Sequence, residues 1–198
     1  MDYKTLKIGS QEWMCSDLKS HLFKNGDSIQ ISITREDWYR NTKNELPCLA
    51  YSKNFKDVVF YNYYAIIDNR GILPEAFKIP SIDAINELIE HLDGNQIAGL
   101  KLKSIDNKLF EEVAYLDEND KELKQIYGNI SGFSAVETGY KRKDGYESIG
   151  LSYNMWLLDK NNKPSIFILV EGDNKAFIDE NKTDSIKNSG FVIRGIKK

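Results

Sequence analysis

The chain is poor in the residues that most often announce chemistry. Its 198 residues include only two histidines, His21 and His91, and two cysteines, Cys15 and Cys48. Neither histidine adjoins a recognisable serine or cysteine motif, which argues against nucleophilic catalysis, where a nucleophile must stand beside a base. Cys15 and Cys48 fit no zinc or redox spacing, so both are expected to be reduced and to serve as small core residues. Gly145 and Gly150 bracket a strand without the Lys-Ser/Thr ending of a phosphate loop, and HExxH and CxxC do not occur. No apolar run nears the ~20 residues that span a bilayer, so no membrane insertion is expected. Met1-Asp2-Tyr3-Lys4-Thr5 lacks the apolar stretch of a signal peptide. The expected place is the cytoplasm if Met1 is the native start, and the cell exterior or surface if a leader has been removed. A net charge of -3 supplies no field toward nucleic acid or an anionic membrane.

What the chain does have is aromatic side chains, at 12% of residues, with eleven Tyr and nine Phe. Flat rings pack well on pleated surfaces, which favours a β-rich core. Apolar residues at 41% and charged residues at 29% are ordinary for a globular protein. The length suits one large domain, and with no repeat or linker visible the domain is taken as 1–198.

Punctuation and periodicity place the elements. Tyr3 to Ile8 and Glu12 to Cys15 flank a Gly9-Ser10 turn and read as a hairpin. Ser28 to Ile33 alternates after the Asn25-Gly26-Asp27 turn. Thr34 with Asp37 has the form of a capping box, opening a helix over 35–41. Leu49 to Ser52 and Phe60 to Ile67 read as strands. Ser81 follows Pro80 as an N-cap. Ile82, Ile85, Leu88, Ile89 and Leu92 then form one apolar stripe of a helix that Asp93-Gly94 ends. Residues 104–128, with Asp117-Glu118-Asn119-Asp120, read as a solvated insertion. Five strands are expected after it: 133–140, 148–157, 166–170, 176–178 and 191–196. Ile166 to Val170, apolar throughout, should be central and covered on both faces.

This series resembles the Fibrobacter succinogenes major paralogous (FISUMP) family. Ile8-Gly9-Ser10-Gln11-Glu12-Trp13-Met14 resembles its opening IGxQxWM, and Tyr61-Asn62-Tyr63-Tyr64-Ala65 its YNWYA strand. Gly71 to Ser81 is similar to GLCPEGWHVPS, Ala98 to Lys103 to AGxKLK, and Gly190 to Gly195 to the closing GxSVRC. The resemblance implies a C-type-lectin-like α+β fold related to formylglycine-generating enzymes. Such a fold has twisted antiparallel sheets, one main amphipathic helix over about 81–93, chain ends meeting in one sheet, and long loops. Leu73 and Gly195 stand where the family carries cysteines, a joint loss that suits a reducing compartment. Met155 replaces the first Trp of a pair completed by Trp156. The late cysteine pair of the formylglycine-generating branch is missing, which argues against that activity.

Acidic residues are plentiful, but no pair is marked for glycoside hydrolysis. No cofactor is expected. Calcium is the one ion left open, because Glu171-Gly172-Asp173-Asn174 and Asp179-Glu180-Asn181 carry suitable oxygens, although the Glu-Pro-Asn motif of calcium-dependent lectins does not occur. The remaining candidate is a ligand face of Tyr140, Lys141, Arg142, Tyr146, Tyr153, Asn154 and Trp156, gathered around one turn. Tyr, Trp and Arg dominate interface hot spots because they bury large areas and still hydrogen-bond. Tyr153 and Trp156 fall on opposite faces of an ideal strand, and alternate members of 148–157 must point into a core. The expectation is a non-catalytic recognition module for a protein or glycan. A structural or assembly subunit, and a glycan-active hydrolase, are the alternatives.

Overall fold

The computed structural model describes residues 3–52, 58–104, 113–115, 124–126, 129–180 and 186–198. The first half runs β1 (Thr5–Ile8), β2 (Gln11–Met14), β3 (Gln30–Ile31), α1 (Arg35–Lys43), β4 (Cys48–Tyr51), β5 (Val59–Asn62), α2 (Tyr63–Ile66), β6 (Phe77–Lys78), α3 (Ile82–His91) and α4 (Asn95–Leu102). The second half is strands: β7 (Val113–Tyr115), β8 (Lys124–Ile126), β9 (Tyr140–Arg142), β10 (Gly145–Glu147), β11 (Ser152–Leu158), β12 (Pro164–Val170), β13 (Ala176–Asp179), β14 (Gly190–Phe191) and β15 (Ile196–Lys197).

The result is an α+β fold made mostly of sheet. One sheet has the order β1-β2-β15-β6, so the N-terminal hairpin and the last strand lie side by side. A second has the order β10-β9-β14-β5-β4-β3, a third β11-β12-β13, and β7 pairs with β8. All strand pairs are antiparallel except β3 with β4.

Caps fix the two helices that the sequence marks most clearly. Thr34 and Asp37 form a reciprocal capping box at α1, and the Ser81 hydroxyl accepts from the Ala84 amide at α3. The α3 stripe buries Ile85, Leu88 and Leu92.

Several strand expectations need correction. Tyr63 to Ile66 is helical rather than extended, because the buried Asn62 side chain turns the chain by accepting from the Ala65 amide. A second helix, α4, follows α3 across the Asp93-Gly94 turn, so α3 is not alone. Residues 133–139 are irregular, with isolated bridges at Ala135 and Gly139 instead of a strand, and Ser134 lies in the left-handed region bonded to Asn129. Within Ser28 to Ile33 the strand is reduced to Gln30–Ile31, with an isolated bridge from Ser28 to Leu22. Ser148 lies in the left-handed region, and β11 starts only at Ser152. The acidic run Asp117 to Asp120 lies outside the described residues. Cys48 is buried as expected, whereas Cys15 is exposed; both are free thiols.

Two apolar cores share the strands between them. Successive side chains of a strand point to opposite faces, so one strand can feed both. On β11, Tyr153, Met155 and Leu157 enter the first core, with α3 and α4, while Trp156 enters the second. Its neighbour β12 does the same, sending Phe167 and Leu169 one way and Ile166 the other. It is central in its sheet and largely buried, as its unbroken apolar run predicted. A small third cluster joins Trp38 of α1 to Cys48 and Ala50 of β4.

Close approach dictates two glycines in the closing segment. A Cβ on Gly190 would fall 2.5 Å from the Trp38 ring. A Cβ on Gly195 would fall 2.8 Å from the Met14 sulfur and 3.2 Å from Leu73 Cδ2. The two positions that depart from the family's cysteines therefore touch each other in space.

Candidate functional site

The turn at Lys143-Asp144-Gly145 joins β9 to β10, with Arg142 opposite Gly145, Lys141 opposite Tyr146 and Tyr140 opposite Glu147. This hairpin forms one edge of the six-stranded sheet. Cross-strand register divides its side chains between two faces. Tyr140 and Arg142 share one, and Lys141 and Tyr146 share the other.

On the first face Glu147 braces both neighbours. The Tyr140 hydroxyl donates to Glu147 Oε2 at 2.9 Å, and Arg142 Nη1 lies 3.7 Å from the same oxygen. The Arg142 guanidinium sits 5.5 Å from the Tyr140 ring centre. Burial, then the bond to Glu147, raises the Tyr140 pKa above its ordinary value. Tyr140 packs at 5.5 Å on Phe191, which meets Trp156 edge-on at 4.7 Å.

The second face turns inward. Lys141 is 3% exposed. Its ammonium donates to the carbonyls of Arg142 and Gly145 and lies over the rings of Trp38 and Tyr146. Tyr146 packs on Phe60 and donates its hydroxyl to the Tyr51 carbonyl at 2.6 Å.

The seven expected face residues therefore separate. Tyr140, Arg142 and Tyr146 keep surface on the hairpin. Lys141 is spent as a wedge beneath it. Tyr153, Asn154 and Trp156 are buried in β11 and offer no surface to a ligand. The physical reason is that β11 lies between two cores, so both of its faces are dry. Trp156 Nε1 donates to the Tyr61 carbonyl at 2.7 Å, and Asn154 Nδ2 donates to Ser152 Oγ.

Sequence reasoning missed a buried charged cluster in which Tyr153 takes part. Arg194 is 3% exposed and donates from Nε to Asp17 Oδ1 at 2.8 Å. The same oxygen accepts from the Tyr153 hydroxyl at 2.9 Å, and Arg194 Nη1 donates to the Phe133 carbonyl. The guanidinium stacks on Phe133 with 4.1 Å to the ring centre. Burial acts against the Arg194 charge, but Asp17 and then Tyr153 outweigh it and hold its pKa above the ordinary value. Burial, followed by Asp17, pushes the Tyr153 phenol well upward. Asp17 and Arg194 stand 177 positions apart, so nothing local marks the pair. The cluster ties the loop after β2 to the segment between β14 and β15.

The other candidate groups are placed as follows. His91 is exposed at the end of α3, in a shallow hollow shared with Ser10, Glu87 and Glu90. The Ser10 hydroxyl donates to Glu87, which leaves the imidazole outside that bond. His21 is exposed. In the turn after β12, the Val170 and Asp173 carbonyls accept from the Lys103 ammonium at 2.8 and 2.7 Å, and Asp173 Oδ1 accepts from the Lys175 amide. Asn181 lies outside the described residues. Among the described residues, no group of three or more His, Cys, Asp or Glu converges as metal ligands would, and no helix is long and apolar enough to cross a membrane.

No curated protein and no solved structure matches the chain. The family model described as the Fibrobacter succinogenes major domain does match, over residues 6–197. That span takes in the N-terminal hairpin, both shared cores, the β9–β10 hairpin and the closing strand, and the chain belongs to the Fibrobacter succinogenes major domain family.

Proposed function

We propose that the chain is a non-catalytic recognition module on a C-type-lectin-like fold, binding a protein or glycan through the loop face that carries the β9–β10 hairpin. The observation that carries this reading is the braced pair on the outer face of that hairpin. Tyr140 and Arg142 are held side by side by one carboxylate, Glu147, above a buried lysine wedge. Side chains fixed before binding lose less freedom on binding, which leaves more of the contact energy as affinity. Tyrosine and arginine are also the types that supply most of that energy.

The test is capture from a lysate of the source cell, with a glycan array in parallel, comparing wild type with Tyr140→Ala/Arg142→Ala. The variant's fold is checked by circular dichroism. A ligand held by wild type and released by the variant is the expected result. A ligand held equally by both moves the site off the hairpin, and turnover of any ligand ends the non-catalytic reading.

One observation favours an assembly subunit as a second reading. Ile31, Ile33, Tyr39, Leu46 and Tyr51 are exposed on β3, β4 and the helix and loop between them. Sedimentation tests it. A stable dimer broken by Ile33→Asp would favour assembly, and a monomer at micromolar concentration counts against it.

A further inference from the structure

A cleft of about 630 Å³ opens beside α2, away from the residues assigned to the hairpin face. Tyr63 and Tyr64 supply two rings, 5.4 Å apart at 71°. Glu45, Asp68, Lys187 and Asn188 supply polar groups around them. The volume lies in the range of small-molecule sites and is enough for one or two sugar rings.

One ring of the aromatic floor, Tyr63, is fixed in advance. The Tyr63 hydroxyl donates to the Asn162 carbonyl at 2.9 Å, and its ring is backed by buried Trp156 at 6.4 Å. Lys187 lies 5.5 Å from the Tyr63 ring centre, so Tyr64 is the ring left for a ligand to stack on. Burial first, and then the neighbouring Glu45 carboxylate, raises the Tyr64 pKa. Glu45 is the left-handed residue, at φ 58, that closes α1: its amide donates to the Thr42 carbonyl and the Leu46 amide to the Asn41 carbonyl, which fixes the backbone at this edge of the cleft.

Charge narrows the ligand class. Asp68 is spent on Arg70, which donates to its two carboxylate oxygens at 2.9 and 2.8 Å and holds its pKa below the usual carboxylate range. Glu45 and Lys187 then give the lining one group of each sign, which favours neither an anion nor a cation. A ligand with a flat C–H face and neighbouring hydroxyls suits it better, because such a ligand stacks on Tyr64 and exchanges hydrogen bonds with the planar ends of Glu45 and Asn188.

We propose that this cleft binds a neutral saccharide of one or two units, with Tyr64 as the stacking face and Glu45 and Asn188 as hydroxyl partners. The inference rests on the recognition-module reading and adds to the hairpin face a separate saccharide cleft beside α2. The experiment is saturation-transfer NMR and calorimetry on the full chain. The probes are free glucose, galactose, mannose, N-acetylglucosamine, cellobiose, maltose and lactose at millimolar concentration. Saturable binding of at least one probe is expected, weakened about tenfold by Tyr64→Ala, largely kept by Tyr64→Phe, and unchanged by Tyr39→Ala, an exposed ring outside the cleft. Glu45→Gln, which keeps the shape, should weaken binding about threefold or less.

Binding that survives both Tyr64→Ala and Glu45→Gln overturns the assignment of the cleft. A saccharide lost in the hairpin variant but kept in Tyr64→Ala also overturns it, while supporting the hairpin reading. If no probe saturates but a protein is held through Tyr140 and Arg142, the saccharide inference fails and the recognition module stands. If neither kind of ligand binds, both fail.

Discussion

The β9–β10 hairpin and the β11 strand draw on the same residue types and use them in opposite ways. Each carries tyrosine beside polar groups, and the two lie within a few residues of each other in sequence. The hairpin ends a sheet, so Arg142 is exposed and Tyr140 keeps part of its surface while its ring packs against the second core. Strand β11 lies between two cores, so Tyr153 and Trp156 point in opposite directions and are both fully buried. Residue type alone does not decide between contact with a ligand and contact with a core. The layer in which the strand lies does.

That comparison can be broken by mutation. Trp156→Ala should cost about 3–5 kcal/mol, since it empties a packed site and orphans the Tyr61 carbonyl, whereas Arg142→Ala should stay within about 0.5 kcal/mol. Urea denaturation of the two variants decides. Equal losses would mean that the hairpin is as structural as the strand.

Asp17→Asn probes the buried side from its charge. Arg194 would lose its counter-ion while remaining almost wholly enclosed, at a cost of about 3 kcal/mol. The matching change on the hairpin, Glu147→Gln, removes a surface ion pair at a cost of about 0.5 kcal/mol. Melting temperatures of the two variants, measured side by side, should separate clearly. Coincidence would show that Arg194 gains solvent.

A smaller, pH-dependent difference comes from Cys48. Burial pushes its thiol from the ordinary 9.0 up to about 11, with partial relief from Ser32, Lys141 and Asn41. The folded state therefore holds this proton more tightly than the unfolded chain does. The stability that follows is complete below about pH 9 and is lost as pH rises toward about 11, amounting to roughly 2–3 kcal/mol. Wild type should lose stability more steeply than Cys48→Ala between about pH 8 and 10.5, the tyrosines being common to both. Parallel curves would place Cys48 in contact with water.

The sequence carried the elements whose signals are local. The Thr34–Asp37 box, the Ser81 cap with its apolar stripe, the Gly9-Ser10 turn and the unbroken β12 run all lie within a few residues, and all are present. What escaped depends on distant partners. Asn62 caps α2 while also accepting from the Cys48 amide, fourteen positions away, so aromatic residues that favour strands become helical. Helix α4 lacks a side-chain cap and contains Gly99, whose missing side chain lets the backbone of Lys175 approach. The β9–β10 hairpin was legible, because a turn signal and alternation agree there. The burial of Tyr153, Asn154 and Trp156 in β11 was not, because Tyr, Asn and Trp mixed with Met and Leu read as half wet. A strand shared by two cores gives no alternation to read.

The three tryptophans fall one to each apolar cluster: Trp13 in the first, Trp156 in the second and Trp38 in the third, all fully buried. The molecule thus carries three indole fluorophores, excited selectively on the red edge where tyrosine does not absorb, each reporting on a separate region of its interior. Replacing two of them by Phe in turn leaves a single emitter, whose red shift marks the moment at which water reaches that region. Three coincident transitions would describe a cooperative unit whose shared strands fail together, and a staggered set would rank the regions by their order of opening.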